Sequence, residues 1–250
     1  MNSITELCEK LLKAQSVSAL TGAGISAESG VATFRGENGL WRKFKPEELA
    51  NVNAFLKNPE LVWEWYNERK KIVRSVQPNP GHFALAEFEN ILNGFTLITQ
   101  NVDGLHRRAG SSRILELHGN IERSFCMQCG NFYDNVEISE EIKVPHCSVC
   151  NGLIRPDVVW FGEMLPQDIL EEAERSAMRC DFFFVVGTSA EVYPAASLPI
   201  TAKQYGARII EINIAHTSLS NYADYTFFGK AGEVLPQFIS IIKQLRKLTQ

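Results

Sequence analysis

Two pairs of cysteines, one histidine and a short glycine run carry the chemistry most readily seen in this sequence. Cys126 and Cys129 stand as Cys-x-x-Cys, seventeen residues follow, and Cys147 and Cys150 repeat the pattern. Four thiolates at such spacing close a tetrahedral shell with no position left for water, so the expected metal is one structural zinc. A nucleic-acid-binding ribbon shares this spacing, but Asp134, Glu137, Glu140 and Glu141 outnumber Lys143 between the pairs, the wrong sign for phosphate contacts. A redox pair is the weaker alternative, because two matched pairs are present. Cys8 and Cys180 stand apart, which leaves no disulfide framework and points to a reducing, cytoplasmic location.

The second chemical feature is Gly22-Ala23-Gly24, entered from the apolar Val17, Ala19 and Leu20 and followed by Ser26-Ala27-Glu28, which reads as a helix start. A strand that turns on glycines into a helix aims backbone N–H groups and the positive end of a dipole at one spot, where a phosphate can sit. The spacing is GxGxxA, as in dinucleotide sites, although a plain tight strand-to-helix turn gives the same pattern. The acidic residue that a dehydrogenase places about twenty positions later is missing. That neighbourhood reads Leu40-Trp41-Arg42-Lys43, so the sequence supports a nucleotide and not hydride transfer. Of the five histidines, His118 is the one at a strand end beside a glycine. An imidazole titrates near neutral pH and can serve there as general base. His82 and His106, near helix starts, and His146, beside a cysteine of the cluster, read as structural; His216 stays open.

These groups need a scaffold, and hydrophobic periodicity supplies one. Ser3-Ile4-Thr5-Glu6 is a capping box before a helix with Ile4, Leu7, Cys8, Leu11 and Leu12 on one face. Further helices are expected over 46–55, from Pro59 to Val76 behind an Asn58 cap, through Phe83 to Leu92, over 166–178 and from Glu233. Apolar runs at 95–99, 114–117, 181–186 and 208–212 read as strands. Continuous apolar strands alternating with helices mean a parallel sheet covered on both faces. The clusters GAGIS, TQNVD, HGN, GTS and Asn213 each follow a strand, so they converge on one crevice at the carboxyl ends. A net charge of −4 over 250 residues gives no electrostatic case for nucleic acid or an anionic membrane. No stretch is apolar enough to span a bilayer, and the acids near the start do not suit a signal peptide.

Taken together, GAGIS, FRG, TQNVDGLH, LHGN, the paired CxxC motifs, RPDVVWFGE, GTS and VYPAA resemble, in order and over nearly the whole chain, the sirtuin family of NAD-dependent protein lysine deacylases. The resemblance implies an α/β fold: a Rossmann-type doubly wound sheet from about 1–35, 80–120 and 155–250, with a small inserted zinc-binding domain. That insert comes from a helical part, 36–79, and a zinc ribbon, 121–154. It implies NAD as a co-substrate whose pyrophosphate lies on Gly22, Ala23, Gly24 and Ser26, covered by Phe34 and Arg35. Gln100, Asn101 and Asp103 position the nicotinamide and its ribose, and Gly187, Thr188, Ser189, Asn213 and Ala231 contact the adenosine half. Ala27, Trp41, Val102, Ile214 and Ala215 complete the cofactor set. His118 is then the base. Acyl-lysine proteins or peptides pair as an added strand with Val158, Val159, Phe161, Gly162 and Glu163.

In the implied reaction the acyl oxygen attacks the ribose carbon that bears nicotinamide. His118 deprotonates the ribose so that its hydroxyl attacks the imidate, and water releases lysine and O-acyl-ADP-ribose. Tyr66 and Arg69, three apart on one helical face, resemble the Tyr-x-x-Arg pair of the desuccinylase branch, as does the PNPGH run at 78–82. On spacing alone they read as core and solvated surface. The resemblance turns them into a carboxylate-binding pair for succinyl or malonyl groups, with Ala50 widening the acyl pocket. A plain deacetylase and a protein ADP-ribosyltransferase are the alternatives within the family. Ala190-Glu191 after GTS departs from the leucine common there.

Overall fold

The computed structural model describes residues 4–33 and 49–248. After α1 (Ile4–Lys13) the chain enters β1 (Val17–Thr21), and a short α2 (Ala23–Ala27) follows directly. The helix begins at Ala23 rather than at Ser26, because Gly22 in extended conformation is its N-cap and Glu28 closes it. Next come α3 (Val52–Lys57), α4 (Pro59–Ser75) and α5 (Pro80–Ile91). Asn58 caps α4 by accepting from Leu61 N–H at 3.2 Å, and Pro59 occupies a first-turn position where no N–H is needed.

A six-stranded sheet has the order β3-β2-β1-β7-β8-β9, built from β1, β2 (Phe95–Thr99), β3 (Ile114–Glu116), β7 (Phe182–Val186), β8 (Arg208–Asn213) and β9 (Tyr225–Phe228). Every pairing in it is parallel. The order reverses between β1 and β7, and that switch point opens a crevice beyond their carboxyl ends. The strands are covered on both faces. Leu7, Leu85, Phe88, Phe184 and Phe238 pack on one side, whereas Phe183, Val185, Ala173, Ala177 and Leu198 pack on the other. The latter side is covered by α7 (Gln167–Arg179) and α8 (Leu198–Gln204), the former by α1, α5 and α9 (Ala231–Leu248).

Between β3 and α7 lies what periodicity did not reveal, a three-stranded antiparallel sheet of order β5-β4-β6. Here β4 (Gly119–Cys126) starts one residue after His118, so the motif expected to end a strand joins two sheets. Its partners are β5 (Phe132–Asp134) and β6 (Ile154–Val158). A third apolar cluster, with Phe55, Val62, Trp63, Tyr66, Ile121 and Trp160, packs α3 and α4 on this sheet. A short helix α6 (Leu105–Arg108) follows the TQNVDG segment. No helix among the described residues is long and apolar enough to cross a membrane.

Candidate active site

One cavity of about 990 Å³ occupies the crevice. One end is walled by Gly22, Ala23, Gly24 and Ala27 after β1, by Gly187, Thr188 and Ser189 after β7, and by Asn213, Ile214, Ala215 and Ala231. Gln100, Asn101, Val102 and His118 line its middle. Tyr66, Arg69, Ala50, Val158, Val159, Phe161, Gly162 and Glu163 line the other end. These residues come from nine separate stretches of the sequence, and the fold gathers them. Trp65, Trp160, His216 and Lys230 also line the cavity; Trp160 lies within the RPDVVWFGE motif and Trp65 within an expected helix, but the sequence assigns neither a role, leaves His216 open and gives no signal for Lys230. Phe34, Arg35 and Trp41 lie outside the described residues.

The glycines act differently from a simple phosphate cradle. Gly22 N–H donates to Val186 O at 3.1 Å and Gly24 N–H to Gly187 O at 2.8 Å. These two donors therefore fasten the loop to β7 and do not point into open space. A Cβ at position 24 would lie 2.7 Å from Gly187 O and 2.8 Å from Gly187 Cα, so glycine is required by the contact of two loops. Gly187 itself has φ +59, in the left-handed region, and is doubly constrained.

His118 Nδ1 lies 2.9 Å from the Gln100 carbonyl oxygen. A carbonyl only accepts, so Nδ1 carries the proton and Nε2 keeps its lone pair, the form a base needs. Burial lowers the imidazole pKa below its ordinary value, opposed by the Gln100 bond. Ser26 and Asp103 sit behind the cavity wall. Ser26 Oγ donates to Asp103 Oδ2 at 2.7 Å, Asn101 Nδ2 donates to Ser26 Oγ at 3.2 Å, and Leu105 N–H donates to Asp103 Oδ1 at 2.9 Å. Burial raises the Asp103 pKa against these bonds and the nearby Arg69 charge. Asn101 Nδ2 also donates to Gly22 O at 3.0 Å, and Gln100 Nε2 to Thr188 Oγ1 at 2.9 Å, which ties the middle of the cavity to both loops. His82 and His106 are buried beneath, their rings 4.8 Å apart, in the structural role expected of them.

At the far end of the cavity Tyr66 is 2% and Arg69 8% exposed. The Arg69 guanidinium lies 5.0 Å over the Trp65 ring. Its burial lowers its pKa, opposed by Tyr66 and Asp103, while burial pushes the Tyr66 phenol up to about 12. Glu163 is not an open acid. Both its oxygens pair with Arg155, at 2.5 and 2.9 Å, and Oε2 accepts from Trp160 N–H at 2.7 Å.

The sulfurs of Cys126, Cys129, Cys147 and Cys150 all lie within 4.8 Å of one another, with Cys126–Cys150 at 3.4 Å and Cys129–Cys147 at 3.5 Å. Tetrahedral zinc with Zn–S bonds of about 2.3 Å sets sulfurs about 3.8 Å apart, so the cluster fits that ion. Tyr133 OH lies 3.0 Å from Cys147 Sγ, and the Val149 N–H lies 3.4 Å from the same sulfur, so donors surround a sulfur that a metal would hold as thiolate.

Comparison with known proteins bears on this site. The sequence model of the Sir2 family matches residues 22–194. The chain is 50% identical over 232 residues to NAD-dependent protein deacylase 2 of Pyrobaculum aerophilum, covering 92% of each. It is 51% identical over 226 residues to the NAD-dependent protein deacylase of Aquifex aeolicus, covering 90% of this chain and 94% of that one. A solved Sir2 homologue in complex with ADP-ribose superposes with TM-score 0.93 at 47% identity, over 97% of this chain and 98% of that one. Another, bound to a myristoylated histone peptide, has TM-score 0.78 at 40% identity and 98% coverage of both.

Proposed function

The chain belongs to the Sir2, or sirtuin, family, and on that footing we propose that it is an NAD-dependent protein-lysine deacylase acting on acetyl, succinyl and malonyl groups. One observation carries the reading: the glycine loops, His118 and the Tyr66–Arg69 pair line a single cavity. NAD lies with its pyrophosphate against the Gly22–Gly24 and Gly187–Ser189 loops and its adenosine near Asn213 and Ala231. The names of the relatives and the ADP-ribose complex of the neighbour support this. The positively charged nicotinamide of bound NAD is the leaving group of the reaction. Gln100 and Asn101, held by Thr188 and Gly22, fix the ribose end, and Asp103 stiffens that segment through Ser26 and Leu105. His118 Nε2 takes the ribose proton, its ring oriented by Gln100 O. The four cysteines hold one zinc that maintains the small sheet and takes no part in the chemical step.

Acyl-lysine enters from the β6 side. This strand is an edge of the small sheet and ends at Val158, from which the chain runs along the cavity wall over 159–163; that placement supports strand addition by the substrate along 158–163. We further propose that the small sheet, α3 and α4 form the inserted domain, as their separate apolar cluster supports.

A succinyl or malonyl carboxylate must leave water to enter the acyl end, at a cost of several kcal/mol if unpaired. Arg69 supplies the cation and Tyr66 a hydroxyl. Arg69→Met is therefore expected to lower succinyl relative to acetyl specificity by a transition-state loss of about 2–5 kcal/mol, measured as the ratio of kcat/KM on matched peptides. An unchanged ratio contradicts the carboxylate reading and leaves a plain deacetylase.

A further inference from the structure

We propose that Trp160 and Arg155 are positioning residues for acyl selectivity, acting through the Tyr66 hydroxyl. The inference rests on the carboxylate reading of Tyr66 and Arg69. Trp160 Nε1 lies 2.8 Å from Tyr66 OH. An indole nitrogen only donates, so the phenol oxygen must accept, and its own hydrogen is left to be donated. Both side chains are buried and both line the cavity at its acyl end. The indole thus selects the rotamer of the Tyr66 hydroxyl, which the carboxylate reading pairs with Arg69.

Trp160 is itself held. The Arg155 guanidinium stacks on the indole with Cζ 3.4 Å from the ring centroid, and Phe55 packs on the indole with centroids 5.3 Å apart. Arg155 is buried, its Nη atoms go to Glu163 and Val158 O, and its Nε is left without an acceptor. That arrangement favours a flat stack over a fuller set of hydrogen bonds. Glu163 closes the loop by accepting from Trp160 N–H. A chain of contacts therefore runs Glu163–Arg155–Trp160–Tyr66, from the loop that meets the substrate backbone to the acyl pocket.

The test is a mutant cycle read on succinyl-lysine and acetyl-lysine peptides with saturating NAD. Trp160→Phe keeps an aromatic plane for Arg155 and deletes the N–H donor together with part of the ring volume, and the Tyr66→Phe background separates the two effects. It is expected to lower the succinyl-to-acetyl ratio of kcat/KM about five- to tenfold, mainly through the succinyl KM, the scale of one hydrogen bond. In a Tyr66→Phe background the same change should shift the ratio no further. Both activities come from one preparation, so a loss of folded protein cancels in the ratio. Should Trp160→Phe give no soluble protein, Arg155→Lys, which keeps the charge on Glu163 and loses the flat stack, is expected to move the ratio the same way. Equal losses on both peptides, or a ratio shift that persists undiminished in the Tyr66→Phe background, overturn the proposal. A ratio that Arg69→Met leaves unchanged overturns the carboxylate reading and this inference with it; a response to Arg69→Met but none to Trp160→Phe overturns this inference alone.

Discussion

His118 owes its basic nitrogen to the carbonyl that faces the other one. With Nδ1 committed to Gln100 O, proton uptake must occur at Nε2, and burial makes that uptake harder than in water. As the proposed base His118 acts when neutral, so kcat/KM should rise with pH along a limb whose midpoint lies below the ordinary imidazole value of about 6.5. A midpoint above that value contradicts the assignment. His118→Ala should keep the fold and NAD binding, by circular dichroism and calorimetry, and lose at least about a hundredfold in rate. The histidine and the cysteines were legible in sequence because their signals are local. The tether was not, because Gln100 reaches His118 only through the fold, and neither were Trp65 and Trp160, whose roles depend on packing between separate segments.

At the scale of elements, the β1–α2 turn is a joint between strands. Its glycines were read from sequence as an anion cradle; in the structure they line the crevice, while the N–H groups of Gly22 and Gly24 bind the end of β7 and the residue after it. Gly24→Ala would drive a Cβ into Gly187 backbone, so the two loops must part. The expected loss is about 1–3 kcal/mol of stability with weaker NAD binding, checked by urea midpoints and calorimetry. The small sheet escaped periodicity because its strands are neither continuous apolar runs nor clean alternations: β4 carries Asn120, Glu122, Arg123 and Ser124 among its apolar residues, and β5 has three residues with no buried one among them. Such a sheet depends on its metal. Metal analysis should give about one zinc per chain, and a chelator or Cys126→Ser should abolish protection from hydrogen exchange in β4–β6 first, since zinc contributes roughly 10–16 kcal/mol in comparable modules. Protection that survives zinc removal contradicts this.

For the whole molecule, a parallel sheet covered on both faces and a crevice at its carboxyl ends follow from a sequence in which polar clusters cap apolar runs, and that much could be read before any coordinates; the strand order could not. Neither β9 nor the depth at which His82 and His106 are buried could, since both follow from how distant segments pack. These two histidines set the acid limit of the fold. Burial lowers His82 to about 4 and His106 well below its ordinary value. The unfolded chain takes up both protons below about pH 6.5 and the folded chain does not, so stability is full above that pH and is lost as pH falls toward 4. His82 alone contributes a loss of roughly 3 kcal/mol by pH 4; urea midpoints that stay level over this range contradict the burial of both rings. The claim that joins all scales is NAD-consuming deacylation in the crevice. Its most direct test is mass spectrometry of acetyl- and succinyl-lysine peptides incubated with the protein, with and without NAD. The account predicts free lysine peptide, nicotinamide and O-acyl-ADP-ribose in equal amounts, only when NAD is present. Acylated peptide left intact in the presence of NAD, or reduced nicotinamide formed without nicotinamide release, would contradict it.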